Sequence, residues 1–218
     1  MLSVAVGPSG GPPRAEANEL VGRRHMERLF PAIEAVLDGA ATTPAALSAI
    51  LVGLGPGSFT GTRIGVAAAR GLAQALEVPL WGAMSSTLMA REAVQAEPSA
   101  KLCAVILDAK RGELFLGRYD GRGRQLERPT VISPAALLDW DWEPGTIFCG
   151  DALLSYPELA SELGSRAPDL ILSAVRYPRA AQLLSLAPTE LPSPRELHSV
   201  IPLYLRPSQA EERRDAGA

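Results

Sequence analysis

Apolar positions follow two rhythms along this chain: short alternating or unbroken runs, and longer stretches at helical spacing. Leu2 to Val6 alternates and is rich in β-formers, which predicts a strand. Gly7 to Pro13 is turn material, and a weaker second strand falls around Ala17 to Val21. Between Arg23 and Leu37, the residues Met26, Leu29, Phe30, Ile33, Val36 and Leu37 recur as on one helix face. Pro31 should kink that helix and Gly39 should end it. Thr43-Pro44 opens a short helix to Ser48. The apolar run Ala49 to Leu54 predicts a buried strand. It is followed by a helix from Thr62 to Glu77, a short strand over Val78 to Gly82, and a helix from Ser85 to Gln95 capped by Ser85 or Ser86.

The second half continues the alternation. Lys101 to Leu107 and Glu113 to Tyr119 predict a hairpin across Asp108 to Gly112. Ser133-Pro134 caps a short helix to Leu138, Thr146 to Cys149 is a strand, and Ser155-Tyr-Pro-Glu158 opens a helix to Leu163. Leu170 to Ser173 reads as a strand, Pro178 to Leu186 as a helix and Val200 to Arg206 as strand-like. The charged tail from Gln209 to Ala218 reads as frayed or weakly helical. Strands and helices thus alternate in two arms, 1–97 and 98–218. The expected class is α/β with mixed sheets rather than one doubly wound sheet.

The most informative stretch runs from Leu51 to Leu76: a strand, the turn Gly55-Pro-Gly57, and a helix opening at the strand's carboxyl end. Helix N-termini present unpaired N–H groups, so this is the layout of an anion-binding turn. It fails as a Walker loop, because Gly61 is followed by Thr62 and Arg63 and the only lysines are Lys101 and Lys110. It fails as a nucleophile elbow, because Pro56 and Thr60 stand where glycines would flank Ser58. Ser58, Thr60 and Thr62 suit helix capping. Gly57, Gly61 and Gly65 are spaced by four, and Ala68, Ala69 and Leu72 continue near the same face. Such a stripe permits close approach by the chain's own sheet or by a helix of a partner chain.

Composition narrows the classes. The 218 residues are 47% hydrophobic and 21% charged, with a net charge of -3, so no global electrostatic drive toward nucleic acid exists. Cys103 and Cys149 lie far apart in apolar runs, without zinc or redox spacing, and read as small buried hydrophobes. His25 stands among Arg23, Arg24 and Arg28 with no second ligand a helical turn away, which suits a solvated or capping role. No bound transition metal is expected. No apolar run reaches membrane-spanning length and no signal peptide is legible, so the expected compartment is the cytoplasm.

Gly55-Pro-Gly-Ser-Phe-Thr-Gly-Thr-Arg-Ile-Gly65, with Gly71-Leu-Ala73 and Val78-Pro-Leu-Trp-Gly82, resembles the bacterial TsaB family, also called YeaZ. The agreement extends to Gly22-Arg-Arg-His25, Leu29-Phe-Pro31, Leu107-Asp-Ala-Lys-Arg-Gly-Glu113 and Tyr204-Leu-Arg-Pro207, nearly the whole chain. The resemblance implies two actin-like lobes, of the type of acetate kinase, heat-shock chaperones and sugar kinases. It implies a non-catalytic subunit that pairs with TsaD, joined by the ATPase TsaE. That assembly moves a threonylcarbamoyl group from its adenylate to the adenosine next to the tRNA anticodon. Contact with tRNA would be indirect, and no cofactor is expected, save a nucleotide held within the whole assembly. Matched onto this sequence, two metal-binding histidines of TsaD fall at Ser85 and Met89, neither suited to such an ion.

The same resemblance implies where the partner sits. One helix would offer Met26, Leu29, Phe30 and Ile33, and the next Gly61, Ile64, Gly65, Ala68 and Leu72, together forming a four-helix contact with TsaD. Gly55, Gly57, Ser58 and Thr60 would form a vestigial phosphate-side loop. Chains of the family begin with a strand ending in Asp-Thr-x-Thr, ahead of the segment matching Leu2 to Val6. This sequence starts after it, so the first lobe is expected to lack a central strand and to fold better with upstream residues added. Two competing readings remain. One is a homodimeric enzyme on the same fold, a peptidase or phosphotransferase, with Asp108 and Asp151 at strand ends holding magnesium rather than serving turns. The other is a homodimeric structural protein.

Overall fold

A computed structural model describes residues 1–166, 169–186 and 197–205. The chain opens with β1 (Leu2–Val6) and β2 (Ala15–Glu19), an antiparallel pair in which Leu2 faces Glu19 and Val6 faces Ala15. Helix α1 (His25–Gly39) follows and carries Pro31 without ending there. The left-handed residue beyond it is Ala41, with φ of 49°, rather than Gly39. The predicted helix after Thr43 is only a 3-10 turn, Pro44–Ala46, and the Thr43 side chain does not cap it.

Next come β3 (Ile50–Gly53), α2 (Phe59–Ala75) and β4 (Leu80–Ala83), with β3 and β4 parallel. Parallel strands need a crossover, and α2 supplies it. It packs Val66, Ala69 and Ala73 against Val52, Leu80 and Val200. Helix α3 (Ser85–Ala96) begins without a side-chain cap, because Ser85 and Ser86 point into the interior.

The remaining strands form one mixed sheet, with short helices between and after them. These are β5 (Leu102–Lys110), β6 (Glu113–Asp120), β7 (Thr130–Ile132), α4 (Pro134–Leu138), β8 (Ile147–Cys149), α5 (Ala152–Ser155), α6 (Pro157–Arg166), β9 (Ile171–Leu172) and α7 (Ala181–Leu184). The strand order is β7-β6-β5-β8-β9, antiparallel on one side of β5 and parallel on the other. Strand β5 is covered on both faces, which is why its sequence is an unbroken apolar run. Cys103, Val105 and Leu107 pack under Met89, Ala90 and Ala93 of α3. Ala104 and Ile106 pack under Leu137, Leu153, Leu159 and Leu163. Tyr119 is fully buried and its hydroxyl donates to Ser86 Oγ at 2.7 Å.

The β5–β6 hairpin is tighter than predicted. Lys110 pairs with Glu113, leaving Arg111 (φ 58°) and Gly112 (φ 77°) as its loop. Two positive φ values in sequence match the strand twist. The predicted helix over Pro178 to Leu186 shrinks to one turn, α7, and residues 200–205 form no strand. Leu203 N–H nevertheless donates to Leu54 O at 2.7 Å, binding that segment beyond the end of β3. Arg206 and the charged tail lie outside the described residues.

The three sheets leave a space where two of them approach. A cavity of about 1290 Å³ is bordered by β1, by β3 and by apolar side chains of α1 and α2. Strands β1 and β3 do not pair with each other, so the first half holds two separate two-stranded sheets. Backbone amides of β1 and β3 are therefore expected to exchange with solvent faster than those of β5, read by hydrogen exchange. Equal protection across the three strands would contradict this topology.

Gly150 supplies a second test. Its φ is 123°, and a Cβ there would lie 1.9 Å from Ile106 O. Gly150→Ala should destabilise the fold by about 3 kcal/mol or more, read as a fall in Tm.

Candidate functional site

Helices α1 and α2 lie side by side, and the residues expected to face a partner divide between them and the interior. Met26 and Phe30 are 74% and 52% exposed. Leu29 is 8% exposed and joins Leu2 and Val21 in a core cluster, against which Ile33, Ile64 and Ala68 also pack. Leu72 is half-buried and lines the cavity. Gly65 is also half-buried and lines that cavity, and a Cβ there would meet nothing within 4 Å. The outward apolar side chains are thus Met26 and Phe30.

Gly61 has a different use. A Cβ there would lie 3.2 Å from His25 Nε2, so the missing side chain admits the chain's own histidine. His25 is half-buried, and its pKa falls below the ordinary value, first through burial and then through the nearby terminal ammonium. It ties the start of α1 to the start of α2, a packing role that its neighbouring arginines did not signal.

The loop before α2 is held from both sides. Ser58 Oγ accepts from Gly61 N–H at 3.3 Å, the cap expected from sequence, and Thr60 is exposed. Gly55 is buried, its N–H donates to Ser85 Oγ at 3.1 Å, and Ser85 N–H donates back to Gly55 O at 2.7 Å. Gly57 is exposed, with only Thr62 Oγ1 near the place of a Cβ, at 3.9 Å. Of the two positions matched to metal-binding histidines, Ser85 is thus engaged with the loop and Met89 is fully buried in the core. Among the described residues no group of three or more His, Cys, Asp or Glu is placed to share a metal ion.

Sequence reasoning missed one cluster. Phe59, at the start of α2, and Tyr204 place their rings 5.3 Å apart, and the Arg63 guanidinium lies 5.1 Å from the Phe59 ring centre. Both rings belong to motifs quoted above, which was the available signal. Their meeting is a tertiary fact.

Asp108 and Asp151 converge as well. Asp151 Oδ1 accepts from Asp108 N–H at 2.9 Å. Asp108 Oδ1 accepts from Lys110 N–H at 2.7 Å and from the Tyr156 hydroxyl at 3.3 Å, and its Oδ2 pairs with Lys110 Nζ at 2.5 Å. Burial pushes the Asp108 carboxyl up, but the Lys110 hydrogen bonds outweigh it and hold the pKa below the ordinary value. Burial raises the Asp151 carboxyl, against the bond from Asp108 N–H. These carboxylates fasten the end of β5. Cys103 and Cys149 also meet, Sγ to Sγ 3.9 Å, as free buried thiols on neighbouring strands.

Mixed sheets flanked by helices, with a glycine turn opening helix α2, define the class of the fold. Residues 18–213 match the family model described as TsaD, tRNA N6-adenosine threonylcarbamoyltransferase. The chain is 28% identical to the tRNA threonylcarbamoyladenosine biosynthesis protein TsaB of Bacillus subtilis (strain 168), over 90% of this chain and 86% of that one. It is 30% identical to the protein of that name from Escherichia coli (strain K12), over 78% of this chain and 74% of that one. A solved structure of YeaZ from Pseudomonas aeruginosa superposes with a TM-score of 0.74 at 30% identity, covering 93% of both chains. A second solved structure, of a protein described as similar to peptidase YEAZ from Pseudomonas aeruginosa, gives 0.75 at 30% identity, covering 94% of both. The chain belongs to the TsaB (YeaZ) family.

The Asp151 environment predicts a pH effect. A carboxyl whose folded pKa is raised contributes stability that is present below its unfolded pKa and lost as pH rises through the folded pKa. Asp151→Asn keeps an acceptor for Asp108 N–H without the charge. Its Tm should therefore match or exceed that of the wild type at pH 7, with the difference vanishing near pH 4 and below. A lower Tm at pH 7 would show the charge to be stabilising.

Proposed function

We propose that this chain is a non-catalytic subunit in the synthesis of tRNA threonylcarbamoyladenosine, docking onto a TsaD-type subunit through the α1–α2 face. The observation that carries the reading is the exposure of two large apolar side chains, Met26 and Phe30, on α1. Large apolar side chains left exposed on one helix suit packing against another protein. Relatives named for this biosynthesis support the pathway. In this reading residues 1–97 form the docking lobe and 98–218 a smaller second lobe, a TsaE-type ATPase joins the pair, and tRNA is met through the partner, in the cytoplasm. Among the described residues no helix is long and apolar enough to cross a membrane.

The non-catalytic part rests on how the polar groups are used. Asp108 and Asp151 serve backbone and lysine partners, Ser58 caps α2, and Ser85 holds the Gly55 loop. The isolated chain is expected to show negligible ATP turnover. Turnover that disappears in Asp108→Ala would instead favour the enzyme reading.

Docking is tested by co-purification with the TsaD-type subunit of the same organism, followed by the tRNA modification assay with and without this chain. Phe30→Glu and Met26→Glu should each weaken association by about 3 kcal/mol or more, roughly a hundredfold, by placing a charge at a desolvated contact. Both should keep a cooperative melt, because neither position is buried. Wild-type affinity in both variants would move the docking surface elsewhere.

A further inference from the structure

We infer that Phe59, Arg63 and Tyr204 form a third part of the docking surface, an anchor for a protein partner that presents carboxylates beside apolar side chains. The inference rests on the docking reading above and extends it from two helices to the segment at residues 201–204. Phe59 and Tyr204 come from distant parts of the chain, yet their rings pack 5.3 Å apart at an angle of 38°. They remain 43% and 44% exposed, and Ile201 of the same C-terminal segment as Tyr204 is 59% exposed. A contact made only to hold the chain together would be expected to cover these rings more fully. The Leu203 N–H bond to Leu54 O fixes the segment, so the rings are presented on a backbone already in place. Pre-placed aromatic and arginine side chains are the residue types that dominate interface energetics.

The patch is continuous with α1. His25 sits against Gly61, two residues from Phe59, and carries α1 with its exposed Met26 and Phe30 alongside. Charge then selects the partner. Arg63 is exposed and has no carboxylate partner among the described residues. Arg23 and Arg24 are exposed at the start of α1, Arg28 is held by Glu19, and Glu27 is the acidic residue of that first turn. A two-fold pairing of this patch with a second copy would bring like charges together near the axis. A different protein with an acidic rim suits it better. RNA is disfavoured because Arg63 already covers one face of the Phe59 ring and Tyr204 tilts against it, leaving less free face for a stacked base.

The test titrates the full chain against the TsaD-type subunit by calorimetry, using wild type, Tyr204→Ala, Arg63→Glu and Arg63→Lys. Tyr204→Ala and Arg63→Glu should each raise the Kd at least tenfold, with Arg63→Lys between them and wild type and all melting cooperatively. Should Tyr204→Ala fail to fold, the exposed Arg63 variants carry the test alone. If wild type binds and every folded variant binds within twofold of it, the anchor is overturned while the docking reading stands. Wild type failing to bind overturns both. Variants that lose affinity for tRNA while keeping the protein partner would assign the patch to RNA and overturn the anchor.

Discussion

The reciprocal pair of hydrogen bonds between Gly55 and Ser85 is the constraint on which the arrangement of the site depends. Through it the turn that starts α2 is fixed to the first residue of α3. Helix α3 in turn lies on the five-stranded sheet, with Met89, Ala90 and Ala93 against Cys103, Val105 and Ile147. The position of α2 is therefore tied to the largest core among the described residues. Both bonds are shielded from water, where an unmade partner would leave a polar group exposed to the full desolvation penalty of about 1–3 kcal/mol.

Small residues work in several ways on this surface. At Gly61 the absent side chain is filled from within by His25, whereas at Gly65 it leaves open space along the cavity. Leu29, Ile64 and Ala68 join α1 to α2 and to β1, so the exposed apolar face of the two helices is narrower than the apolar stripes suggest. Exposure then concentrates in a few large side chains at its edges, Met26 and Phe30 on α1 and the Phe59–Tyr204 pair at the start of α2.

The charged groups divide likewise. Asp108 and Asp151 are spent on the end of β5, and Arg179 pairs with both Glu16 of β2 and Glu92 of α3. That second set ties the first sheet to the helix covering the third. Arg63 instead lies over an aromatic ring at the surface, where a guanidinium can stack and still meet a carboxylate.

Much of the fold was legible in the letters because local rules and tertiary packing agree there. The strand read over Lys101 to Leu107 is β5, Ser58 and Ser133 cap the helices expected of them, and the hairpin fell where Asp108 to Gly112 placed it. The glycine turn and its helix were legible for the same reason. Other features required the third dimension. Ser85 looks like a cap and serves a distant loop; His25 looks solvated and fills a glycine; residues 200–205 look like a strand and pack without one. The inward turn of Leu29 and the meeting of Phe59 with Tyr204 were equally hidden. Periodicity reports that a side chain is apolar and on which stripe it lies. Which of two neighbouring bodies that stripe meets, and which hydroxyl reaches which backbone group, is decided by contacts between residues far apart in sequence.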